Sequence, residues 1–228
     1  MEEKKVFAIL RKVTVFSELG NEALERLVPT ARLLNFRARQ VVYLPGDRAT
    51  GLHFLGPGRV KISKVTRDGK ELTLAYRSAG EFFGEACLLD TSPREEMVEA
   101  MEPTASVEIA QEAVDAILQT NVVVAYPFLR SVVQRRRDLE VKVEQLIFKD
   151  VVSKLAELLM KLGSEYGVEN KKGLILSLKI THQEMANLIG STRETVSLTL
   201  STFKRKGYIT TEGRKVILAD REGLRGLA

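Results

Sequence analysis

Apolar and polar positions change their spacing along the chain, and each change predicts a change of element. From Phe7 to about Leu34, the residues Phe16, Leu19, Leu24, Leu27 and Val28 follow helical spacing and predict a helical start. After Asn35 the period shortens to two. Arg39 to Leu44 alternates as a strand, Pro45-Gly46-Asp47 is a turn, and Leu52 to Val65 predicts two strands around Gly56-Pro57-Gly58. Arg67-Asp68-Gly69-Lys70 places Asp-Gly at the centre of a hairpin, and Glu71 to Arg77 is the returning strand. A last strand pair runs through Ala105 to Ile109. Short strands punctuated by Gly46, Gly58, Gly69 and Gly80 predict a β-roll or jelly-roll barrel.

The period lengthens again from about Gln111 to Ile147. Leu129, Val132, Arg136, Leu139, Val143 and Leu146 step by three and four, which suits either a two-stranded coiled coil or a helix packed on its own barrel. The triplet Arg135-Arg136-Arg137 on it reads as solvated charge or as salt bridges to the barrel. Phe148-Lys149-Asp150 is a hinge, with Asp150 capping a helix through Leu162. Lys171-Lys172-Gly173 is a loop before a strand at Leu174 to Leu178.

From Ile180 the pattern predicts two short helices joined by a tight turn. Thr181 with Glu184, and Ser191 with Glu194, have capping-box spacing. Gly190 between them can take the left-handed conformation that ends a helix. Ala186 is small where the helices cross, and Ile189, Val196 and Leu200 supply apolar contacts. This is a helix-turn-helix whose second helix, over 192–206, would enter a major groove of double-stranded DNA. Phe203 to Leu218 then gives a basic helix end and a strand–turn–strand wing. The expected fold is α+β: a helix and barrel over 1–110, a long dimerisation helix over 111–147 and a winged helix-turn-helix over 148–228.

Composition narrows the function. A chain of 228 residues with 44% hydrophobic content can bury one large core or two ordinary ones. No apolar run approaches the ~18–20 residues that span a bilayer, and the polar start lacks a signal-peptide core, so a cytoplasmic protein without membrane contact is expected. Cys87 is the single cysteine, which excludes an intrachain disulfide and a multi-cysteine iron–sulfur site. It reads as a small buried apolar residue. The two histidines, His53 and His182, are too few for a metal-dependent cupin enzyme and unpromising as haem ligands. No nucleophile–base pair or phosphate loop is evident, so neither catalysis nor a cofactor is expected. From Lys149 onward there are 14 Lys/Arg against 9 Asp/Glu, so the net charge of +5 sits wholly in the segment with the helix-turn-helix.

Taken in order, Pro45-Gly46-Asp47, Gly58-Arg59-Val60-Lys61, Gly69-Lys70-Glu71, Gly80-Glu81-Phe82-Phe83-Gly84-Glu85, Leu88-Leu89-Asp90 and Pro93-Arg94 resemble the effector domain of the Crp/Fnr family of bacterial transcription regulators. The helix-turn-helix and wing are similar to that family's too, so the resemblance covers almost the whole chain. It implies a homodimer on a palindromic operator, RNA polymerase as a partner, and activation as the commoner outcome. Arg193 matches the arginine that donates to a guanine edge, and Glu194 the glutamate that accepts from cytosine. Ser191, Thr192, Thr195, Lys204, Lys206, Arg214 and Lys215 are placed for phosphate. Leu198 stands where many relatives have a second base-reading arginine; it can meet a thymine methyl but cannot donate to guanine.

In members that bind cyclic AMP, the positions of Gly84 and Glu85 hold the ribose and that of Arg94 the phosphate. Here Glu95, followed by Glu96, replaces the hydroxyl residue beside that arginine, and two carboxylates repel a phosphate. Leu139 and Glu140 replace the pair that recognises adenine. An effector other than cyclic AMP, or none, is expected. Arg94 itself is open to pairing with Glu95 or Glu85. The alternatives are a cyclic-AMP-dependent regulator and, in another class, a cyclic-nucleotide-like regulatory subunit acting through protein contacts.

Overall fold

The computed structural model describes residues 1–90, 92–213 and 215–228. It divides into two compact units, residues 1–137 and 138–228. Among the described residues the strands form three antiparallel sheets, two in the first unit and one in the second.

The first unit opens on α1 (Glu2–Leu10), a 3-10 turn at Thr14–Phe16, α2 (Asn21–Leu27) and a second 3-10 turn at Val28–Thr30. The expected helix to Leu34 is therefore broken. Pro29 has no N–H to extend the helical ladder, and residues from Ala31 instead pair with a late strand as β1 (Ala31–Phe36). The helical spacing still identified the buried side chains, since Phe16, Leu19, Leu24 and Leu27 all enter one core.

The barrel then follows as β2 (Val41–Tyr43), β3 (Gly51–Leu55), β4 (Arg59–Val65), β5 (Glu71–Ser78), β6 (Phe82–Phe83), β7 (Met97–Ala100) and β8 (Thr104–Ala110). Its sheets run β1-β8-β3-β6 and β2-β7-β4-β5. Strand β3 is buried on both faces. Leu52 and Phe54 join the core under the helices, while Leu55 joins Tyr43, Val60, Ile62, Phe83 and Val98 in a second core. His53 also points to that second side and stacks on Phe83, ring centroids 4.7 Å apart.

The expected helix from Gln111 to Ile147 is two helices, α3 (Gln111–Thr120) and α4 (Val122–Phe148), at 113° to each other. Asn121 breaks them: its backbone is extended, and its side-chain amide donates to the Ile117 carbonyl, closing α3. On α4, Phe128 and Val132 pack against the barrel core, so Val132 leaves the expected coiled-coil seam. Val122, Tyr126, Leu129 and Val133, spaced by three and four, stay exposed, as do Val143 and Ile147 four apart. No single helix among the described residues is long and apolar enough to cross a membrane.

The second unit adds α5 (Val151–Tyr166), β9 (Gly167–Asn170), β10 (Gly173–Leu176), α6 (His182–Ile189), α7 (Arg193–Arg205), β11 (Ile209–Glu212), β12 (Lys215–Leu218) and α8 (Arg221–Arg225). Asp150 caps α5, accepting from the Ser153 amide at 2.8 Å. The helix runs past Leu162 because its buried face continues through Gly163. Sheet order β11-β12-β10-β9 sets the wing beside the strand that precedes the helix-turn-helix.

Burial holds the His53 imidazole down at about 4, with Arg94 acting in the same direction and Glu108 opposing. A depressed histidine contributes stability that is present above its unfolded value and lost as pH falls through its folded value. We expect wild-type stability to fall by up to about 1.4 kcal/mol per pH unit between about pH 6.5 and about pH 4 from this group. His53→Phe keeps a ring on Phe83 and should lose less across that window in chemical denaturation. Equal losses in the two proteins would show that the imidazole is not the source.

Candidate nucleic-acid interface and effector site

The helix-turn-helix is built by caps, one glycine and a shared core. The Thr181 hydroxyl accepts from the Glu184 amide at 3.1 Å, and the Glu184 carboxylate accepts from the Thr181 amide at 2.6 Å, completing the first capping box. Gly190 ends α6 at φ 62°, ψ 49°, a left-handed conformation that a side chain would strain. The Ser191 amide returns to the Ala186 carbonyl at 3.0 Å. The second capping box does not form. Helix α7 begins at Arg193, so the cap falls one residue later on Thr192, whose hydroxyl accepts from the Thr195 amide at 3.2 Å.

Val196, Leu200 and Phe203 on α7 pack with Met185, Ala186 and Ile189 of α6 and with Leu155 and Leu159 of α5. Burying that face turns the opposite one outward with Glu194, while Arg193 is exposed as the first residue of the helix. Thr192 and Thr195 bond to each other at that helix end, while Leu198 is exposed one turn on. Lys204 donates to the Thr211 hydroxyl at 3.2 Å, tying α7 to the wing. Lys206 caps the C-terminus of α7 and is exposed, as is Lys215 on β12. Arg214 lies outside the described residues.

One contact was not legible in the sequence. His182 Nδ1 lies 2.7 Å from Ser197 Oγ, joining the start of α6 to the middle of α7. The fifteen-residue separation hides it, because only the crossing of the two helices brings these side chains together.

In the barrel, the structure brings Gly84, Glu85 and Arg94 together, and it meets Glu85 with one of the salt bridges open to the Arg135-Arg136-Arg137 triplet. Arg94 is only 5% exposed. It donates from Nη1 to the Gly84 carbonyl at 2.7 Å and from Nη2 to the Gly51 carbonyl at 2.6 Å. Its guanidinium lies 4.5 Å from the Tyr43 ring centroid, and its Nε is buried without a hydrogen-bond partner. Pairing with Glu95 or Glu85 is thus replaced by backbone carbonyls, because the side chain turns inward between β3 and the Gly84 turn. Gly84 has φ 80°, and a Cβ there would stand 2.8 Å from Arg94 Nη1.

Glu95 instead pairs with Lys64 at 2.8 Å on the exposed surface, which holds its carboxyl below the usual range. Its charge is met there, so the repulsion expected of it toward a phosphate is weakened. The inward carboxylate is Glu96, which accepts from the Tyr43 hydroxyl at 3.0 Å. Burial first, then Glu96, push the Tyr43 phenol well above its ordinary value.

Glu85 is taken by Arg135 at 2.7 Å. Arg135 also donates to the Phe82 carbonyl at 2.8 Å and lies 3.9 Å from the Phe82 ring centroid. The first arginine of the triplet is therefore a clamp from α4 onto the barrel. Leu139 and Glu140 lie further along α4, in the second unit, and both are exposed. Cys87 is buried as expected, and burial pushes its thiol up to about 11. Among the described residues no group of three His, Cys, Asp or Glu side chains could hold a metal ion.

The caps give a direct test. Thr192→Ala should lower stability by about 1 kcal/mol, the ordinary cost of a lost N-cap. Ser191→Ala should be close to neutral in the same urea unfolding experiment. The reverse order would return the cap to Ser191.

Residues 33–121 match the cyclic nucleotide-binding domain, and residues 153–227 match the Crp-like helix-turn-helix domain. The chain is 31% identical over 204 residues to the global nitrogen regulator of Nostoc, covering 89% of each chain. It is 27% identical over 216 residues to the CRP-like cAMP-activated global transcriptional regulator of Mycobacterium tuberculosis, covering 95% of this chain and 96% of that one. Among solved structures, the c-di-GMP-responsive global regulator CLP of Xanthomonas campestris superposes with a TM-score of 0.76 at 27% identity, covering 87% of this chain and 99% of that one. Both domain matches and the full-length relatives agree, and the chain belongs to the Crp/Fnr family of transcription regulators.

Proposed function

We propose that this regulator binds a palindromic operator as a homodimer, through the first turn of α7, and that it responds to an effector other than cyclic AMP or to none. The observation that carries the DNA reading is the exposed pair Arg193 and Glu194 on a helix whose other face is locked into the core. A guanine edge can accept two hydrogen bonds from Arg193, and cytosine can donate to Glu194. The exposed apolar positions of α4 supply a seam for a second copy, and a two-fold protein places its recognition helices about 34 Å apart on a symmetric site. Lys206 and Lys215 contribute phosphate contacts, which make binding salt-dependent.

The effector reading rests on the barrel. Glu85 is engaged by Arg135 and Arg94 by two carbonyls, so a cyclic nucleotide must displace protein contacts at both ends. Relatives of comparable similarity are described as cAMP-activated, c-di-GMP-responsive and nitrogen-regulating, so family membership leaves the effector open. The protein works beside the chromosome in the cytoplasm, without haem, iron–sulfur cluster or catalysis, and recruits RNA polymerase as an activator. An effector acts by binding the DNA-competent state better than its alternative.

Selection of DNA from a random pool, by the protein alone and with cyclic AMP, tests both readings. A palindrome recovered by the protein alone is the expected result. Recovery only with cyclic AMP would overturn the effector reading, and failure to bind DNA of any sequence, even at low salt, would overturn the DNA reading. Arg193→Ala should then cost ~1–3 kcal/mol on the recovered operator and relax one base position.

A further inference from the structure

The outward face of α7 carries one side chain that neither the fold nor hydrogen bonding accounts for. Glu194, Leu198, Ser201 and Arg205 follow the i, i+4, i+7, i+11 spacing of one helical stripe, and all four are exposed. The buried stripe of Val196, Thr199, Leu200 and Phe203 lies on the other side. Leu198 is 71% exposed, although it borders a cavity of about 190 Å³ lined also by Val152, Thr202 and Phe203. The cavity covers too little of it to explain an aliphatic residue there.

Its neighbours are already engaged. The Ser197 hydroxyl is held by His182 at 2.7 Å, and the Ser201 hydroxyl donates to the Ser197 carbonyl at 2.9 Å. In the second turn of the helix, over 197–200, the exposed residue is Leu198, with its isobutyl side chain. It neither donates nor accepts. The one apolar feature that a base pair offers in the major groove is the C5-methyl of a pyrimidine, which is thymine in unmodified DNA.

Resting on the operator reading above, we propose that Leu198 is a specificity-determining residue that selects thymine in each half-site by packing on its C5-methyl. Four residues of helix advance about 6 Å, and base pairs stack at about 3.4 Å. The thymine therefore lies one or two pairs beyond the guanine–cytosine pair read by Arg193 and Glu194. This selects a half-site different from one read by an arginine at the same position, and the difference lies in a single methyl group rather than in a hydrogen bond.

Uracil differs from thymine only by that methyl. On the operator recovered from the random pool, deoxyuridine is placed at each thymine in turn, and binding is measured for wild type and Leu198→Ala. Uracil at one position should weaken wild type by about fourfold per half-site, the effect of burying one methyl group. Leu198→Ala should bind thymine and uracil operators alike, with unchanged circular dichroism because the residue is exposed. Leu198→Arg should move the preferred base there from thymine to guanine. Uracil that weakens neither protein, or both equally, would overturn the assignment while leaving the operator reading intact. Failure to bind DNA of any sequence, even at low salt, would instead defeat the operator reading, and this inference with it.

Discussion

Gly190 turns the chain through φ 62°, ψ 49°, and the Ser191 amide then closes back on the Ala186 carbonyl. The geometry of the DNA-facing surface depends on this turn. It sets α7 across α6 with Ala186 and Val196 both fully buried, and that close crossing needs side chains no larger than these. Once the inner face is committed to the core of Leu155, Leu159 and Phe203, the rotation of α7 about its own axis is no longer free. Glu194 and Leu198 are exposed as a consequence of what is buried, and Arg193 is exposed at the start of the helix. Packing density allows few alternative rotations, since a slip of one residue would turn Val196 away from that core.

The barrel satisfies a different constraint. An arginine buried to the extent of Arg94 must have its charge and its donors met. Two carbonyls and the face of Tyr43 do this, with Nε left over. The orphaned Nε marks the guanidinium as incompletely satisfied by protein alone, in a setting where Tyr43, Glu96 and His53 are also close to the barrel interior. Arg135 solves a related problem on α4. Its cation is spread over the Phe82 ring, the Phe82 carbonyl and the Glu85 carboxylate, so one side chain anchors the helix by stacking, hydrogen bonding and charge together.

Local patterns carried much of this architecture. The Thr181–Glu184 box, Gly190, the Asp-Gly hairpin at Gly69 and the cap at Asp150 each depend on residues within a few positions of one another. Spacing also named the buried residues of the helix-turn-helix, because a helix face is a local property. The sequence by itself therefore determined the order of barrel, long helical segment and winged helix-turn-helix, the DNA-binding motif and the family.

The tertiary structure decided what depends on competition between distant partners. Residues 31–34 left the expected helix because β8 offered them a ladder more than seventy positions away. Val132 left the coiled-coil seam for the barrel core, and the cap passed from Ser191 to Thr192 because α7 begins at Arg193. Arg94 turned from neighbouring carboxylates to the carbonyls of Gly51 and Gly84. A charged or polar side chain has several adequate partners, and which of them it takes is set by the backbone that folding places within reach. An apolar side chain needs only to leave water, so its fate is written in the spacing of the chain, whereas the partners of a polar one are written in the fold.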